Sequence, residues 1–157
     1  MSYLSLLAFF AANFAAALSG AYFRPGDWYR GLDKPAWRPP DWLFAPAWAV
    51  LYTMIAISGW LVWSEAGDTT QGRFALIVYG LHLLVNASWS AVFFGLRRPG
   101  LAFVDILVLW ASIGLTAILF HDIRPLAGWL LMPYLGWVSF AAVLNFSIWR
   151  RNRAAAG

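Results

Sequence analysis

His82, Asn86 and Ser90 recur at four-residue spacing within a long apolar stretch, with Trp89 and Phe93 beside them. On a helix this spacing lays an imidazole, an amide and a hydroxyl along one face next to two large rings. Such a stripe can glue helices together by hydrogen bonds, or it can wall a site for a ligand that is both aromatic and polar. For Asn86 the two uses are evenly matched. His82 reads as structural, because a lone His in a chain without Cys offers no metal-ligand set. Asp105 is the one acid inside an apolar stretch. It is expected to pair with Arg97, Arg98 or a cation of the first loop, since a proton relay would need further acids that the apolar stretches do not supply. Asn13 and Asn145 read as structural hydrogen-bonding groups. No acid–base dyad, nucleophile triad or metal cluster suggests ordinary catalysis.

Two further aromatic stripes accompany the first. Trp48, Tyr52 and Ile55 share one helical face, as do Tyr134, Trp137, Ala141 and Leu144. Trp48 and Trp137 lie several residues inside their apolar stretches, deeper than the interfacial belt where Trp is enriched, which favours a pocket. Pro46 and Pro133 precede these stripes, and a proline there removes a ladder hydrogen bond and can bend a helix around a cavity. Ala87, Ala91 and Gly95 form a small-residue series that lets another helix approach closely, either within the chain or, as the preferred expectation, across a two-fold homodimer.

The elements that must position these residues are membrane spans. Of the 157 residues 62% are hydrophobic and only 11% charged, against roughly a quarter charged in soluble domains. Charge-poor runs at 2–23, 42–63, 74–96, 101–120 and 126–149 each approach or exceed the roughly 20 residues a spanning helix needs. Without a period of two they predict helices rather than barrel strands. The fold class expected is therefore an all-α membrane bundle of five helices forming one domain over 1–157, with a structured Trp- and Pro-rich loop between the first two. The first loop, the third loop and the tail carry nine Lys and Arg against two on the other side. That bias places the N-terminus outside and the C-terminus in the cytoplasm, and it explains the net charge of +4 without a nucleic-acid partner. Ala15, Ala16 and Ala17 imitate a signal-peptidase site, but no basic n-region precedes them and four spans follow, so the first span reads as retained.

The stretch 26–48, GDWYRGLDKPAWRPPDWLFAPAW, interrupts the apolar chain with tryptophan, proline and charge. It reads as a lid or wall of a binding site, with Pro35, Pro39 and Pro40 fixing its path.

Three long segments, WYRGLDKPAWRPPDWLFAPAWAVLY at 28–52, NASWSAVFFGLRRPGLA at 86–102 and LMPYLGWVSFAAVLNFSIWRRN at 131–152, resemble the tryptophan-rich sensory protein and translocator protein family in order and spacing. The resemblance covers nearly the whole chain. It implies a five-helix bundle, commonly dimeric, that binds porphyrins such as protoporphyrin IX, haem and, in some members, sterols and synthetic benzodiazepine-type ligands, with no cofactor required. The implied pocket is Trp48 and Tyr52, then Asn86, Trp89 and Ser90, then Ile106 and Trp110, then Trp137 and Ala141, capped by Tyr29. For members that degrade protoporphyrin IX in light, the implied residues are Tyr29, Trp48 and Trp137. The family's sterol motif falls on Leu144, Phe146 and Arg150, where Phe146 replaces the expected Tyr.

A large, flat, apolar macrocycle with acidic tails suits several rings that stack or meet edge-on. Its propionates would seek Arg24, Arg30, Lys34 or Arg38. The leading expectation is a porphyrin receptor acting in sensing, sequestration or transport. Light-dependent oxidative degradation and a sterol- or lipid-binding translocator are the alternatives.

Overall fold

The structure, a computed structural model, describes residues 2–153. Ser2 opens α1 (Tyr3–Tyr22) by accepting the Leu4 N–H on its hydroxyl. A one-turn helix, α2 (Asp27–Arg30), forms within the first loop. The second span, α3 (Asp41–Ala66), carries Pro46 without a break. In α4 (Thr70–Ser90) the Thr69 hydroxyl accepts the Gly72 N–H, and the helix runs on through a π turn, Ala91–Gly95. The fourth span is α5 (Pro99–Ile123). The fifth divides into α6 (Pro125–Leu130) and α7 (Met132–Arg151), broken at Leu131 just before Pro133, whose missing N–H leaves the ladder open there. These make five helices long and apolar enough to cross a membrane. The third span begins at Thr70 rather than 74, because the Thr69 cap lets polar residues into its first turn.

In the bundle α1 packs on α3 and α4, α4 on α5, and α5 on α6 and α7, while α3 and α7 meet only sparsely. The main core joins Leu51, Ile55, Tyr79, Ile113, Phe120 and Tyr134. A smaller cluster holds Tyr29, Phe93, Ala102, Leu144 and Ile148. Leu4, Phe14, Ile77, Leu84 and Ile118 are each more than 60% exposed. In water such a girdle would be an aggregation hazard; in a bilayer it is the lipid face.

The small-residue series is used within the chain. Ser19 of α1 donates its hydroxyl to the Ala87 carbonyl, and a Cβ at Gly95 would stand 2.8 Å from the Phe23 ring. Those two positions are thus taken by α1, and Ala91 starts the π turn between them. Ala87 and Gly95 serve a contact within the chain, the first of the two uses expected of this series.

The first loop folds back along α7 as a strap. Lys34 Nζ donates to the carbonyls of Tyr29, Arg30 and Leu32 at 2.8, 3.2 and 3.1 Å, closing α2. The Asp33 N–H donates to Asn152 Oδ1 at 2.9 Å, and Asn152 Nδ2 returns a bond to the Asp33 carbonyl at 2.8 Å. Further on, Trp37 lies edge-on to Phe140 and Phe44 to Trp137, each at 5.8 Å between ring centroids. Asn152→Ala removes both amide bonds and is expected to lower the local stability of residues 33–40 by about 1 kcal/mol. Hydrogen–deuterium exchange of that segment measures it, and unchanged exchange refutes the strap.

Candidate ligand-binding site

Where α3 and α7 fail to close on each other, aromatic rings fill the gap. The Trp48 ring lies 5.5 Å from Tyr52, 6.3 Å from Tyr134 and 6.5 Å from Trp137, the last two edge-to-face. Trp137 also meets Phe140 at 6.2 Å. Its indole Nε1 is buried and has no hydrogen-bond partner, a deficit that an added acceptor would relieve. Beside it runs a groove of about 410 Å³, lined by Trp37, Pro39, Leu43, Pro133, Gly136, Trp137 and Phe140. That volume lies within the range of small-molecule sites. At Gly136 a Cβ would touch nothing within 4 Å, so the missing side chain keeps the groove open. Pro39 also lines a depression of about 320 Å³ with Ala36, Arg38, Pro40 and Asp41, which brings a guanidinium to the end of the groove.

Behind the rings lies a buried polar chain. Tyr52 donates to Asn86 Oδ1 at 2.6 Å, and Asn86 Nδ2 donates to the Tyr134 hydroxyl at 2.7 Å. His82 Nε2 is 3.0 Å from the same hydroxyl, and His82 Nδ1 is 2.7 Å from the Tyr79 carbonyl. The Tyr79 hydroxyl donates to the Ile55 carbonyl at 3.0 Å and accepts from Asn13 Nδ2 at 2.8 Å. Five of these side chains come from three helices, α3, α4 and α7, and Asn13 adds α1. Asn13 Oδ1 is left without a partner, but the bonds among the other five side chains fix their rotamers and so brace the wall that carries Trp48 and Tyr52.

The structure thus brings Trp48, Tyr52, Asn86 and Trp137 to one place, with Ala141 half-buried against the same core. Ile106 is fully enclosed in that core. Trp89 is spent elsewhere: its Nε1 donates to Asn145 Oδ1 at 2.9 Å, and Asn145 Nδ2 donates to the Pro99 carbonyl at 2.8 Å. Ser90 turns toward α1, its hydroxyl 3.7 Å from the place of a Gly20 Cβ. Trp110 is 45% exposed and donates to Ser139 at 2.8 Å on the outer face of α5 and α7. Tyr29 packs edge-on to Phe93 and Phe94 in the smaller cluster. Burial, and then the charge of Asp41, holds its phenol above the usual tyrosine range. Leu144 is buried there too, while Phe146 faces outward against Phe103 and Trp149 and Arg150 is exposed at the end of α7.

One expectation about charge is corrected. Asp105 makes no ion pair with Arg97, Arg98 or the first loop; its Oδ1 accepts from Ser88 at 2.7 Å, because the neighbouring α4 offers a hydroxyl at that depth and the arginines lie beyond the helix ends. Among the four loop cations, Arg30 pairs with Asp27 at 3.0 Å, Lys34 caps α2, and Arg38 lies beside the groove with one bond to the Pro35 carbonyl at 3.3 Å.

Leu43, Phe44 and Phe140 line or flank the groove without having been singled out from the sequence. Their only signal is the aromatic density of the segments that hold them. The hydroxyl of Tyr134 was likewise read as part of a stripe and not as the hub of a network.

The sequence model of the TspO/MBR family matches residues 6–150. Protein CrtK of Rhodobacter capsulatus is 38% identical over 152 residues, covering 97% of this chain and 95% of its own. The tryptophan-rich protein TspO of Archaeoglobus fulgidus is 38% identical over 156 residues, 97% of this chain and 99% of its own. The human translocator protein is 39% identical over 133 residues, 83% of this chain and 78% of its own.

Proposed function

The chain belongs to the TspO/MBR family of integral, multi-pass membrane proteins, and from that premise we propose that it binds porphyrins, protoporphyrin IX and haem among them, in the groove between the strap and α7. The observation that carries this reading is the edge-to-face pair of Trp48 and Trp137 beside an open apolar groove, with one buried indole N–H lacking an acceptor. A flat macrocycle in the groove presents its face or edge to Trp37, Trp137 and Phe140, with Trp48 packed against Trp137. A propionate reaching along the groove would meet the Arg38 guanidinium, a charge-assisted contact. The first loop and C-terminus are assigned to the cytoplasm by the nine-to-two bias of Lys and Arg.

His82 is enclosed, 1% exposed, with both ring nitrogens engaged, so it is not free to ligate iron. The metal-free ring is therefore expected to bind at least as tightly as haem, and a sterol, lacking a flat conjugated face and carboxylates, more weakly than either. Titration with protoporphyrin IX, haem and cholesterol, read by ligand absorbance or competition, tests the order. Haem binding more than about tenfold tighter than the metal-free ring, a gain of about 1.4 kcal/mol, would show iron ligation and defeat the assignment.

Light-dependent oxidative degradation is the second reading, favoured by the placement of Trp48 and Trp137 in mutual contact beside the groove. Illumination in air should then bleach bound porphyrin faster than porphyrin mixed with denatured protein.

A further inference from the structure

The phenols of Tyr52, Tyr79 and Tyr134 share one buried network, yet only one of them faces a group that can keep a proton. Tyr52 donates to an amide oxygen and Tyr79 to a backbone carbonyl, both very weak bases. Tyr134 differs. His82 Nδ1 lies 2.7 Å from the Tyr79 carbonyl, which can only accept, so the neutral imidazole carries its proton on Nδ1 and turns the Nε2 lone pair to the Tyr134 hydroxyl at 3.0 Å. Asn86 Nδ2 donates to the same phenolic oxygen at 2.7 Å, leaving the Tyr134 proton one direction in which to point.

We propose that Tyr134 and His82 form a redox-active pair, in which Tyr134 passes an electron to oxidised Trp48 and its phenolic proton to His82 Nε2. The oxidant is a photoexcited tetrapyrrole in the groove, which draws the electron from Trp48 by way of Trp137, the tryptophan that lines the groove, and to that extent the inference rests on the reading given above. Trp48 links the groove to the pair: its ring lies 6.5 Å from groove-lining Trp137 and edge-on to Tyr134 at 6.3 Å.

The step balances. The ligand gains one electron, which it later returns or passes to dioxygen, and Trp48 becomes a cation radical. Tyr134 then reduces Trp48 by one electron as its O–H bond breaks and an N–H bond forms at His82 Nε2. The products are neutral Trp48, a neutral phenoxyl radical and an imidazolium. Tyr134 and His82 are 0% and 1% exposed, so no bulk water stands ready for the proton. A tyrosine cation radical, a far stronger acid than imidazolium, would otherwise be stranded in a low-dielectric interior. After transfer the imidazolium donates through Nδ1 to the Tyr79 carbonyl and through Nε2 back to the phenoxyl oxygen, which also keeps the Asn86 N–H. The phenoxyl oxygen and both imidazolium nitrogens remain paired, and re-reduction returns the proton along the same bond.

The test uses the full chain in lipid nanodiscs with electron paramagnetic resonance on freeze-trapped samples. Ultraviolet photoionisation of the ligand-free protein generates oxidised tryptophan without a porphyrin. A neutral tyrosyl signal should follow, lost for the most part in Tyr134→Phe. It should also be lost in His82→Gln, whose amide can accept the hydrogen bond but not the proton, with a tryptophan radical in its place. Solvent deuteration should slow its appearance in the parent protein. A tyrosyl signal of the parent's size in either variant overturns the pair, whatever binds in the groove. Visible illumination after loading with protoporphyrin IX should give the same tyrosyl signal, scaled to porphyrin bound in the dark. Protein that forms the radical under ultraviolet light but binds no porphyrin overturns the assigned ligand and leaves the pair standing.

Discussion

Truncating Trp48 and Trp137 together to alanine is expected to weaken protoporphyrin IX binding about a hundredfold. Trp137 lines the groove and offers its ring to the macrocycle, and Trp48 supports that ring edge-to-face; each is worth about 1.4 kcal/mol on removal, or a factor of about ten. Both rings are half-buried and touch each other, so part of the loss comes from the gap left between α3 and α7. Three comparisons separate contact from collapse. Trp48→Phe keeps a ring against Tyr134 and should cost binding less than the alanine. Gly136→Leu adds bulk where a Cβ meets nothing, and should lower affinity by filling the groove without lowering the melting temperature. Trp129→Ala removes a tryptophan that is 63% exposed beside His121, outside the groove, and should leave binding unchanged. Porphyrin absorbance is the readout, since the variants alter the protein's own fluorescence. An affinity for the double alanine variant within threefold of the parent, about 0.7 kcal/mol, would place the site elsewhere.

Much of the architecture was legible because the bilayer imposes simple rules. Charge-poor runs gave the five spans, Asp105 being the one acid within them, while of the two prolines expected to bend a helix Pro133 follows a break at Leu131 and Pro46 sits in an unbroken α3. Which faces meet was harder. Four-residue spacing drifts by about 40° at each step, so Ser90 has turned about 80° from His82 and reaches α1 while Asn86 stays with Tyr52 and Tyr134. Trp89 looked like part of the pocket wall, but its partner Asn145 lies 56 residues away, on a different span. The strap depends on Asp33 and Asn152, separated by 119 residues, and no local pattern announces an amide paired with a backbone segment so distant. Asp105 was read through charge alone, and a carboxylate inside a bundle takes the nearest donor, here a serine on the next helix. That Trp48 and Trp137 meet was legible from their depth in the membrane, a property of position along the chain.

Gly59→Leu is expected to cost about 3 kcal/mol, the upper part of the range for overpacking a close contact. Gly59 sits in the middle of α3 where α1 and α4 both press in, and a Cβ alone would stand 2.8 Å from the Tyr79 ring and 2.9 Å from two atoms of Phe9. Neither ring has an easy way out. Phe9 is packed against Tyr79, whose ring stacks on Phe120 at 5.5 Å while its hydroxyl holds the Ile55 carbonyl and accepts from Asn13. Moving the Tyr79 ring strains those two bonds, and any shift of its backbone reaches the His82 imidazole through the Tyr79 carbonyl. The damage therefore extends from a helix crossing to the network behind Trp48, and porphyrin affinity should fall along with stability. Gly114→Leu supplies the comparison, because a Cβ there meets nothing within 4 Å and the new side chain enters lipid. Its effect should stay within about 0.5 kcal/mol. Thermal unfolding of both variants in the same lipid or detergent decides the matter, and equal melting temperatures would mean that α1 does not press on α3 at Gly59.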